Sequence, residues 1–325
     1  MNFQGLTHIE NYETYITIAL NRGDEEAKLV RTSVTGIPKI KKSKSIELRR
    51  ITVIKKTLID FLMKILKSYP SIDDLPEFYQ ELIRLTLDYE SLKKSLGGLN
   101  WATKTIGGLY DTYSLKIKRQ KELSEITKTR REFIGRVKSV MKQISKELSY
   151  LEYARKVMKS YPTIKTKLFT IAIAGFPNIG KTTLLSKLTP SKPEINNYPF
   201  TTKGIMIGYI ELGYHKIQLL DTPGTLARFN KMNDIEKQAY LAMKYCANAI
   251  IYIFDLTESY PLKDQLRLLK NIQELDKPII CYLSKTDIID KKTIKDFKNK
   301  HKELKLIDNL DDLKHRMNEL IKKDY

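Results

Sequence analysis

Residues 171–189 combine an apolar run, a glycine-rich loop and a helical pattern. Gly175 ends the apolar run, and Gly180-Lys181-Thr182 opens the helical pattern, which gives the spacing G-x-x-x-x-G-K-T. Glycine lets the backbone turn its N–H groups toward phosphate oxygens, while the helix N-terminus and the lysine add positive charge. The spacing therefore predicts a nucleoside triphosphate site in which the Thr182 hydroxyl holds Mg²⁺. The nucleotide-binding residues expected in this loop are Phe176, Pro177, Asn178, Ile179, Gly180, Lys181, Thr182 and Thr183.

A second segment, Asp221-Thr222-Pro223-Gly224, follows an apolar run that ends at residue 220. An aspartate at the end of a buried strand can reach the Mg²⁺ shell, and the N–H group of Gly224 can bond the γ-phosphate. Between the two loops, residues 198–202 read Tyr-Pro-Phe-Thr-Thr. A threonine in this place can coordinate Mg²⁺ only while the γ-phosphate is present, so we expect the segment to act as a switch.

A fourth segment, Ser284-Lys285-Thr286-Asp287, follows the apolar run at residues 279–283. The Asp287 carboxylate can accept two hydrogen bonds from the edge of guanine, an edge that adenine does not offer, and the stem of Lys285 can pack on the ring. Each tetrapeptide alone is a weak signal. Four motifs in this order, each at a strand end or in a loop, predict a site for GTP rather than for ATP.

The two halves of the chain have different hydrophobic patterns. Up to about residue 165, apolar residues recur at a spacing of three to four, which predicts helices. From residue 169 onward, short apolar runs alternate with amphipathic segments, which predicts a doubly wound, mostly parallel α/β sheet. We therefore expect an all-α helical domain at residues 1–165 followed by a P-loop GTPase domain at residues 166–325. The expected strands are residues 169–174, 205–212, 216–220, 249–254, 279–283 and, weakly, 304–307; the expected helices of this half are residues 181–188, 235–245, 262–275 and 310–321.

Charge is concentrated in the helical half. The chain has a formal net charge of +20, and residues 1–168 contain 33 Lys and Arg against 19 Asp and Glu. Such an excess favours a polyanionic partner, either nucleic acid or an anionic membrane, although a lysine-rich surface that only aids solubility is an equal alternative. The run at residues 39–50 is expected to be a surface loop or an anion-binding arm. Its candidate RNA contacts are Lys41, Lys42, Lys44, Arg49 and Arg50.

Targeting signals and membrane segments are not apparent in the sequence. The N-terminus lacks a basic region followed by an apolar stretch, and no segment reaches the apolar length that crosses a bilayer. Cys246 and Cys281 stand among apolar neighbours, as expected for buried thiols in a reducing compartment. We therefore expect a cytoplasmic protein without a membrane partner.

The C-terminal half resembles the Obg-type translation-class GTPases in its Gly-Phe-Pro-Asn-Ile-Gly-Lys-Thr loop and in its Tyr-Pro-Phe-Thr-Thr segment. The basic half resembles the nucleolar GTP-binding protein 1 family at residues 69–79, 96–102, 135–137, 150–156 and 161–164. That family couples an N-terminal helical domain to this GTPase and takes part in assembly of the large ribosomal subunit. The resemblance implies a compact, archaeal-like member of the family.

The resemblance also assigns roles to single residues. It makes Thr202, rather than Thr201, the switch ligand of Mg²⁺, so the expected metal ligands are Thr182, Thr202 and Asp221. Thr225 stands where many small GTPases carry a water-orienting glutamine, which implies slow intrinsic hydrolysis. Asn178 either helps to bind a K⁺ ion, as in some related enzymes, or only braces its own loop. The expected catalytic residues are Lys181, Thr202, Gly224 and Asn178.

Two positions depart from the family pattern in the guanine-binding region. Ser284 replaces the usual asparagine, which removes a longer side chain that braces the loop and the base. The usual Ser-Ala-Lys segment that caps guanine is absent, and Ile307-Asp308-Asn309 is the nearest candidate. The nucleotide-binding residues expected outside the first loop are Asp221, Gly224, Ser284, Lys285 and Asp287.

Together these features predict a GTP-binding and GTP-hydrolysing switch protein, stimulated by K⁺ or by ribosomes. Its cofactors would be GTP or GDP, Mg²⁺ and, in one of the two interpretations of Asn178, K⁺. Its partners would be ribosomal RNA and precursors of the large subunit, and a monomer is favoured. The alternative function is a stress-related or translation-regulating GTPase that acts on mature ribosomes.

Overall fold

A computed structural model of the chain describes residues 3–190, 194–197, 204–222, 234–257 and 259–324. The chain divides into two compact units, which we call the helical unit and the sheet unit. The helical unit comprises Phe3–Ile72 and Leu87–Lys159. The sheet unit contains Asp73–Thr86 and Ser160–Tyr325.

The helical unit contains five α-helices among its described residues: α1 (Tyr12–Ser33), α2 (Lys39–Ser68), α4 (Tyr89–Arg119), α5 (Leu123–Gln143) and α6 (Ser145–Lys159). The side chain of Asn11 caps α1 by accepting a hydrogen bond from the amide of Thr14, and Asp88 caps α4 in the same way. The three-to-four spacing of apolar residues puts one face of each helix inside. On α2 this face includes Ile51, Leu58 and Leu62, all with at most 1% exposure.

The basic run at residues 39–50 is neither a loop nor an arm, because α2 begins at Lys39, directly after Pro38. Proline is compatible with a helix start, since its missing N–H group has no intrahelical partner there. The glycine pairs Gly97-Gly98 and Gly107-Gly108 lie inside α4 and do not break it. Of these four glycines, Gly98 packs closest to a neighbour, since a Cβ atom there would lie 3.1 Å from the Glu147 side chain.

The expected boundary at residue 165 differs from the structural one for helix α3 (Glu77–Thr86), which belongs to the sheet unit. The buried Tyr79 hydroxyl donates to the carbonyl of Pro162 at 2.9 Å and accepts from the amide of Ile164 at 3.0 Å. The hydroxyls of Thr86 and Tyr161 also share a hydrogen bond of 2.6 Å. These long-range bonds attach α3 to the segment that leads into the sheet, a contact that sequence periodicity does not encode.

The sheet unit contains a six-stranded sheet whose strand order is β2-β3-β4-β1-β5-β6. The strands are β1 (Thr170–Ala174), β2 (Glu194–Asn197), β3 (Gly204–Leu212), β4 (His215–Asp221), β5 (Ala249–Phe254) and β6 (Ile279–Leu283). β1 pairs in parallel with β4 and β5, β5 pairs in parallel with β6, and the β2-β3-β4 edge is antiparallel. The predicted fold class, a mostly parallel α/β sheet after a helical domain, is confirmed.

The helices that follow the strands are α7 (Lys181–Leu188), α8 (Asp234–Cys246), α9 (Leu262–Gln273), α10 (Lys291–Lys300) and α11 (Leu310–Asp324). β2 and α10 are not among the elements predicted from the sequence, because both are short and carry many polar residues. The weak strand expected at residues 304–307 is only a single parallel bridge between Ile307 and Tyr282. No helix in the described part of the chain combines the length and the hydropathy that a membrane span requires.

Parallel pairing places the carboxyl ends of four strands at one edge of the sheet. Gly175 follows β1, Asp221 ends β4, Asp255 follows β5 and Ser284 follows β6. The register confirms this arrangement, because Ile173 of β1 lies opposite Asp221 on one side and Ile251 on the other. Ligands of open α/β sheets bind at this edge, so the fold brings the predicted motifs together.

Candidate nucleotide site and basic surface

Residues 175–182, here called the phosphate loop, adopt a backbone that requires glycine. Gly175 has φ +145° and Gly180 has φ +97°. A Cβ atom on Gly175 would lie 2.3 Å from Cδ1 of Ile179 and 3.0 Å from the carbonyl oxygen of Ile253. Asn178 adopts the left-handed region with φ +58°, a conformation that non-glycine residues adopt at an energetic cost and that is common at binding sites.

The side chains of the phosphate loop divide between the core and the cleft. Phe176 and Ile179 are buried, and the Phe176 ring packs on the Tyr260 ring with centroids 4.6 Å apart. These two residues therefore contribute backbone groups to the loop while their side chains anchor it. The Asn178 side chain lines the cleft and makes no hydrogen bond to any residue that the structure describes.

The Lys181 side chain reaches from the start of α7 back to the start of the phosphate loop. Its Nζ donates to the carbonyl oxygens of Phe176 at 2.5 Å and of Gly175 at 3.1 Å. Burial lowers the pKa of Lys181 to about 8, and the nearby Asp221 charge opposes this shift. These contacts hold the ammonium group at the phosphate loop, where the sequence spacing predicts phosphate oxygens.

Thr182 and Asp221 form the oxygen-rich corner of the site. The Thr182 hydroxyl donates to Oδ2 of Asp221 at 2.5 Å. Burial raises the pKa of Asp221, an effect that the Thr182 hydrogen bond and the Lys181 charge oppose. Oδ1 of Asp221 is buried and has no hydrogen-bond partner in the described part of the chain. An unpaired carboxylate oxygen beside a hydroxyl fits Mg²⁺, which prefers oxygen ligands.

Two of the predicted phosphate-sensing residues, Thr202 and Gly224, lie outside the described residues. The described chain before Gly224 is firmly attached to the sheet. The Thr222 hydroxyl donates to the carbonyl of Ile173 at 2.8 Å, and the Thr222 amide donates to the same carbonyl at 3.2 Å. The segment that carries Gly224 therefore starts from a fixed point next to β1.

Residues 284–287 are here called the base loop. Its first residue, Ser284, differs in one respect from what was expected. Its hydroxyl lies 2.7 Å from the carbonyl oxygen of Ile179 and 3.1 Å from that of Phe254, and it can donate its single hydrogen to either. The expectation that the loop loses its brace is therefore wrong, because the serine hydroxyl itself connects the base loop to the phosphate loop. Serine is short, but β6 ends close enough to the phosphate loop for a hydroxyl to reach it directly.

The phosphate loop and the base loop line one cleft of about 520 Å³. Eight predicted residues line it: Asn178, Gly180, Lys181, Thr182, Thr183, Ser284, Lys285 and Asp287. Leu184, Lys187 and Tyr282 also line the cleft and were missed, because none of them belongs to a recognisable motif. Segments about 100 residues apart, such as Ser284 and Ile179 with a separation of 105, thus meet at one site.

The candidate guanine-capping segment, residues 307–309, makes contacts with other parts of the sheet unit. Asp308 forms an ion pair with Lys298 at 2.7 Å. The Asn309 side chain accepts from the amide of Asp312 at 2.8 Å and so caps α11. Ile307 lies beside Tyr282, which brings the backbone of this segment next to β6.

The expected RNA contacts in the helical unit fall into two groups, those that pair with carboxylates and those that do not. Arg49 pairs with Glu26 at 2.6 Å, and the largely buried Arg50 side chain pairs with Glu47 at 2.8 Å and with Asp24 at 3.1 Å. Both arginines therefore have carboxylate partners within the helical unit, and the largely buried Arg50 is poorly suited to bind phosphate. The other expected contacts, Lys41, Lys42 and Lys44, lie in the first turns of α2.

The first turns of α2 belong to a larger basic surface, here called the basic tip and defined as residues 28–44 and 115–121. It joins the end of α1, the start of α2 and the end of α4, because Nζ of Lys44 donates to the carbonyl of Lys118 at 2.7 Å. These residues include ten Lys and Arg and no Asp or Glu. None of the ten is buried, and none pairs with a carboxylate among the described residues. Four partly exposed apolar side chains lie among them: Leu29, Ile37, Ile40 and Leu115.

Comparison with known proteins agrees with the two-part organisation. Residues 3–165 match the model of the NOG1 N-terminal helical domain, and residues 170–285 match the model of the 50S ribosome-binding GTPase. The G domain of the T. maritima FeoB iron transporter is similar at 28% identity and a TM-score of 0.39, over 47% of this chain and 99% of that one.

Curated relatives match most of this chain. An uncharacterized protein of Methanocaldococcus jannaschii is 41% identical over 281 residues, which are 85% of this chain and 78% of the relative. Nucleolar GTP-binding protein 1 of Drosophila melanogaster is 29% identical over 89% of this chain, but only 44% of that protein is covered. The chain thus spans less than half the length of this eukaryotic relative. With a helical-domain match over half of its residues and a GTPase match directly after it, the chain belongs to the nucleolar GTP-binding protein 1 family.

Proposed function

We propose that this protein is a GTP-binding and GTP-hydrolysing switch that associates with ribosomal RNA on precursors of the large ribosomal subunit. One observation carries the nucleotide part of the proposal: Lys181 and Thr182 line the same cleft as Asp287. A lysine and a helix N-terminus suit phosphates, and a carboxylate suits the edge of guanine. A single bound nucleotide would place its phosphates at one end of the cleft and its guanine at the other.

The switch would depend on residues on both sides of the phosphates. Thr182, Asp221 and Thr202 are the proposed Mg²⁺ ligands, and the Gly224 amide is the proposed γ-phosphate contact. The ion would neutralise charge on the phosphate oxygens. Because Thr202 and Gly224 would hold their positions only while the γ-phosphate is present, GTP hydrolysis would release both segments together.

Hydrolysis would be slow without a stimulating partner, since Thr225 cannot orient water as a glutamine does. We propose that Asn178 supplies a K⁺ ligand at the phosphate loop. Its side chain lines the cleft and has no other hydrogen-bond partner among the described residues, which supports this role over bracing of its own loop. A GTPase assay in K⁺ and in Na⁺, with the wild type and with Asn178→Ala, tests the assignment. Stimulation by K⁺ that disappears in the variant is expected, and equal rates in both salts would contradict it.

The RNA part of the proposal rests on the basic tip. Lysine and arginine bind RNA mainly through its phosphates, and each phosphate contact releases counterions, so binding weakens steeply with salt. The tip presents its charge without local carboxylates, and folded RNA is recognised largely by shape and backbone. We further propose that the protein acts in the cytoplasm and as a monomer.

Charge reversal at the tip tests the RNA interface. Replacement of Lys41, Lys42, Lys116 and Arg119 by glutamate should strongly weaken binding to large-subunit RNA and reduce the magnitude of the salt slope by about 0.7 for each lost phosphate contact. The matched control reverses four exposed lysines near the C-terminal ends of α2 and α5, outside the basic tip, namely Lys64, Lys67, Lys138 and Lys142. The control should bind nearly as the wild type. Unchanged binding and salt slope in the tip variant would exclude this surface.

The alternative target is the mature ribosome. Sedimentation of the chain with large-subunit precursors, and separately with translating ribosomes, discriminates the two functions. Enrichment on precursors supports the proposal, and enrichment on translating ribosomes supports the alternative. Binding only to vesicles of anionic lipid would contradict both.

A further inference from the structure

We propose that Asp255 is a positioning residue for guanine binding, because its buried carboxylate fixes Lys285 of the base loop in the place where the lysine stem covers the base. The inference rests on the proposed role of Lys285 in the guanine site. None of the sequence motifs includes Asp255, which directly follows β5.

The contact between the two residues is short and partly shielded from water. Nζ of Lys285 lies 2.6 Å from Oδ2 of Asp255. The Asp255 side chain has no exposed surface, whereas the Lys285 side chain keeps 29% of its own. A buried carboxylate without a cationic partner is costly, so the ion pair should hold the lysine strongly.

The Asp255 carboxylate is itself held from the other side. Its Oδ1 accepts from the amide of Thr257 at 2.8 Å and from the Thr257 hydroxyl at 2.7 Å. Burial would raise the pKa of Asp255, but the hydrogen bonds from Lys285 and Thr257 together keep it below its ordinary value. The carboxylate is therefore ionised and oriented toward Lys285.

A glutamine on α9 fixes the backbone that carries Asp255. Gln265 is buried; its Oε1 accepts from the Asp255 amide at 3.0 Å, and its Nε2 donates to the Asp255 carbonyl at 2.7 Å. The Tyr252 hydroxyl donates to the carbonyl of Gln265 at 2.6 Å. The position of Asp255 is thus determined by β5 and α9, independently of the base loop.

The base loop is only four residues long, so it has few side chains of its own that could hold Lys285 in place. The ion pair with Asp255 supplies this support. Ser284 fixes the start of the loop to the phosphate loop, but it does not contact the Lys285 side chain. Lys285 adopts φ +55°, a strained region for a residue with a side chain. A free lysine side chain has large rotamer entropy, and the ion pair with Asp255 removes much of that freedom before the nucleotide binds.

Nucleotide affinities of Asp255→Asn, Lys285→Ala and the double variant test the proposal. Each single variant should weaken GDP binding by about tenfold, the effect of releasing one ordered lysine side chain. The double variant should be no weaker than Lys285→Ala alone, because Asp255 acts through the lysine. The loss should be equal for GDP and for inosine diphosphate, which lacks the 2-amino group, since the lysine contacts the ring face that both share.

Controls separate positioning from folding. Thr257→Val removes one of the two hydrogen bonds that orient the Asp255 carboxylate and keeps the charge of the ion pair, so it should weaken GDP binding less than Asp255→Asn does. Thermal unfolding checks each variant, and Asp255→Ser, which retains a hydrogen-bonding oxygen, replaces Asp255→Asn if the latter does not fold. Normal affinity in a folded Asp255 variant with weakened binding in Lys285→Ala would overturn the inference alone. Normal affinity in Lys285→Ala would overturn both the inference and the proposed role of Lys285. A double variant whose losses multiply would also overturn the inference.

Discussion

The Thr182 hydroxyl and Oδ2 of Asp221 are 2.5 Å apart and join the start of α7 to the end of β4, although 39 residues separate them in the sequence. The second carboxylate oxygen of Asp221 is buried without a partner in the described part of the chain. The pair therefore presents two oxygen atoms next to the phosphate loop. This arrangement explains why one motif alone indicates only phosphate binding, whereas the two motifs together indicate a metal–nucleotide site.

Removal of either oxygen ligand should weaken Mg²⁺-dependent nucleotide binding. We expect Thr182→Ala and Asp221→Asn to lose about 10- to 100-fold in GDP affinity with Mg²⁺, the loss typical of a charge-assisted contact. Titration of fluorescent GDP with Mg²⁺ and with a chelator measures the effect. Ser186→Ala, an exposed position on the same helix, is the matched control. A wild-type ratio between the two conditions in Thr182→Ala would argue against this ligand assignment.

Asp287 should determine which purine is bound. Its carboxylate can accept two hydrogen bonds from guanine, whereas an asparagine offers one acceptor and one donor group. We expect Asp287→Asn to lose GDP affinity by at least about 100-fold, since two charge-assisted bonds are affected, and to gain affinity for xanthosine diphosphate. Competition between the two nucleotides provides the measurement. A variant that keeps its preference for GDP would remove Asp287 from the base site.

Ser284 should contribute to stability as well as to binding. Ser284→Ala leaves the buried carbonyl contacts of Ile179 and Phe254 without this donor, which should lower the free energy of unfolding by about 1–2 kcal/mol. Ser284→Thr retains the hydroxyl and serves as the control. Denaturant unfolding monitors both variants. If alanine and threonine give the same midpoint, the hydroxyl bridge is not a stabilising contact.

Particular residues show what could be predicted from the sequence. The phosphate and base loops were predictable because their chemistry requires fixed residue types at fixed spacing, and the fold brings them into one cleft. Asp255 was missed because no motif surrounds it, although it directly follows a buried strand. The pairing of Arg50 with Glu47 and Asp24 was also out of reach, since a basic run does not reveal which charges have partners.

The length of a helix was similarly hard to predict where glycine occurs. Helix α4 continues through two glycine pairs, because packing of its apolar face outweighs the low helix propensity of glycine. Helix α3 lies in the helical half of the sequence but groups with the sheet unit, for a related reason. Its tertiary hydrogen bonds through Tyr79 have no sequence signature.

Glycines inside the helices of the helical unit should respond to alanine in opposite directions. A Cβ atom on Gly23 would lie 2.7 Å from Cγ1 of Ile54 and 3.2 Å from the carbonyl oxygen of Arg50, so Gly23→Ala should destabilise the unit by about 1–3 kcal/mol. At Gly135 no atom lies within 4 Å, so Gly135→Ala should stabilise it by about 0.5–1 kcal/mol. Thermal unfolding of both variants tests this, and stabilisation by Gly23→Ala would contradict the close packing of α1 on α2.

In the proposed function, the nucleotide state controls association of the chain with the large-subunit precursor. The most direct measurement is co-sedimentation of the chain with purified precursors at low salt, in GDP and in a non-hydrolysable GTP analogue. We expect retention with the analogue, release with GDP, and loss of retention in the tip variant that carries glutamate at Lys41, Lys42, Lys116 and Arg119. Equal retention in both nucleotides, or no association in either, would contradict it.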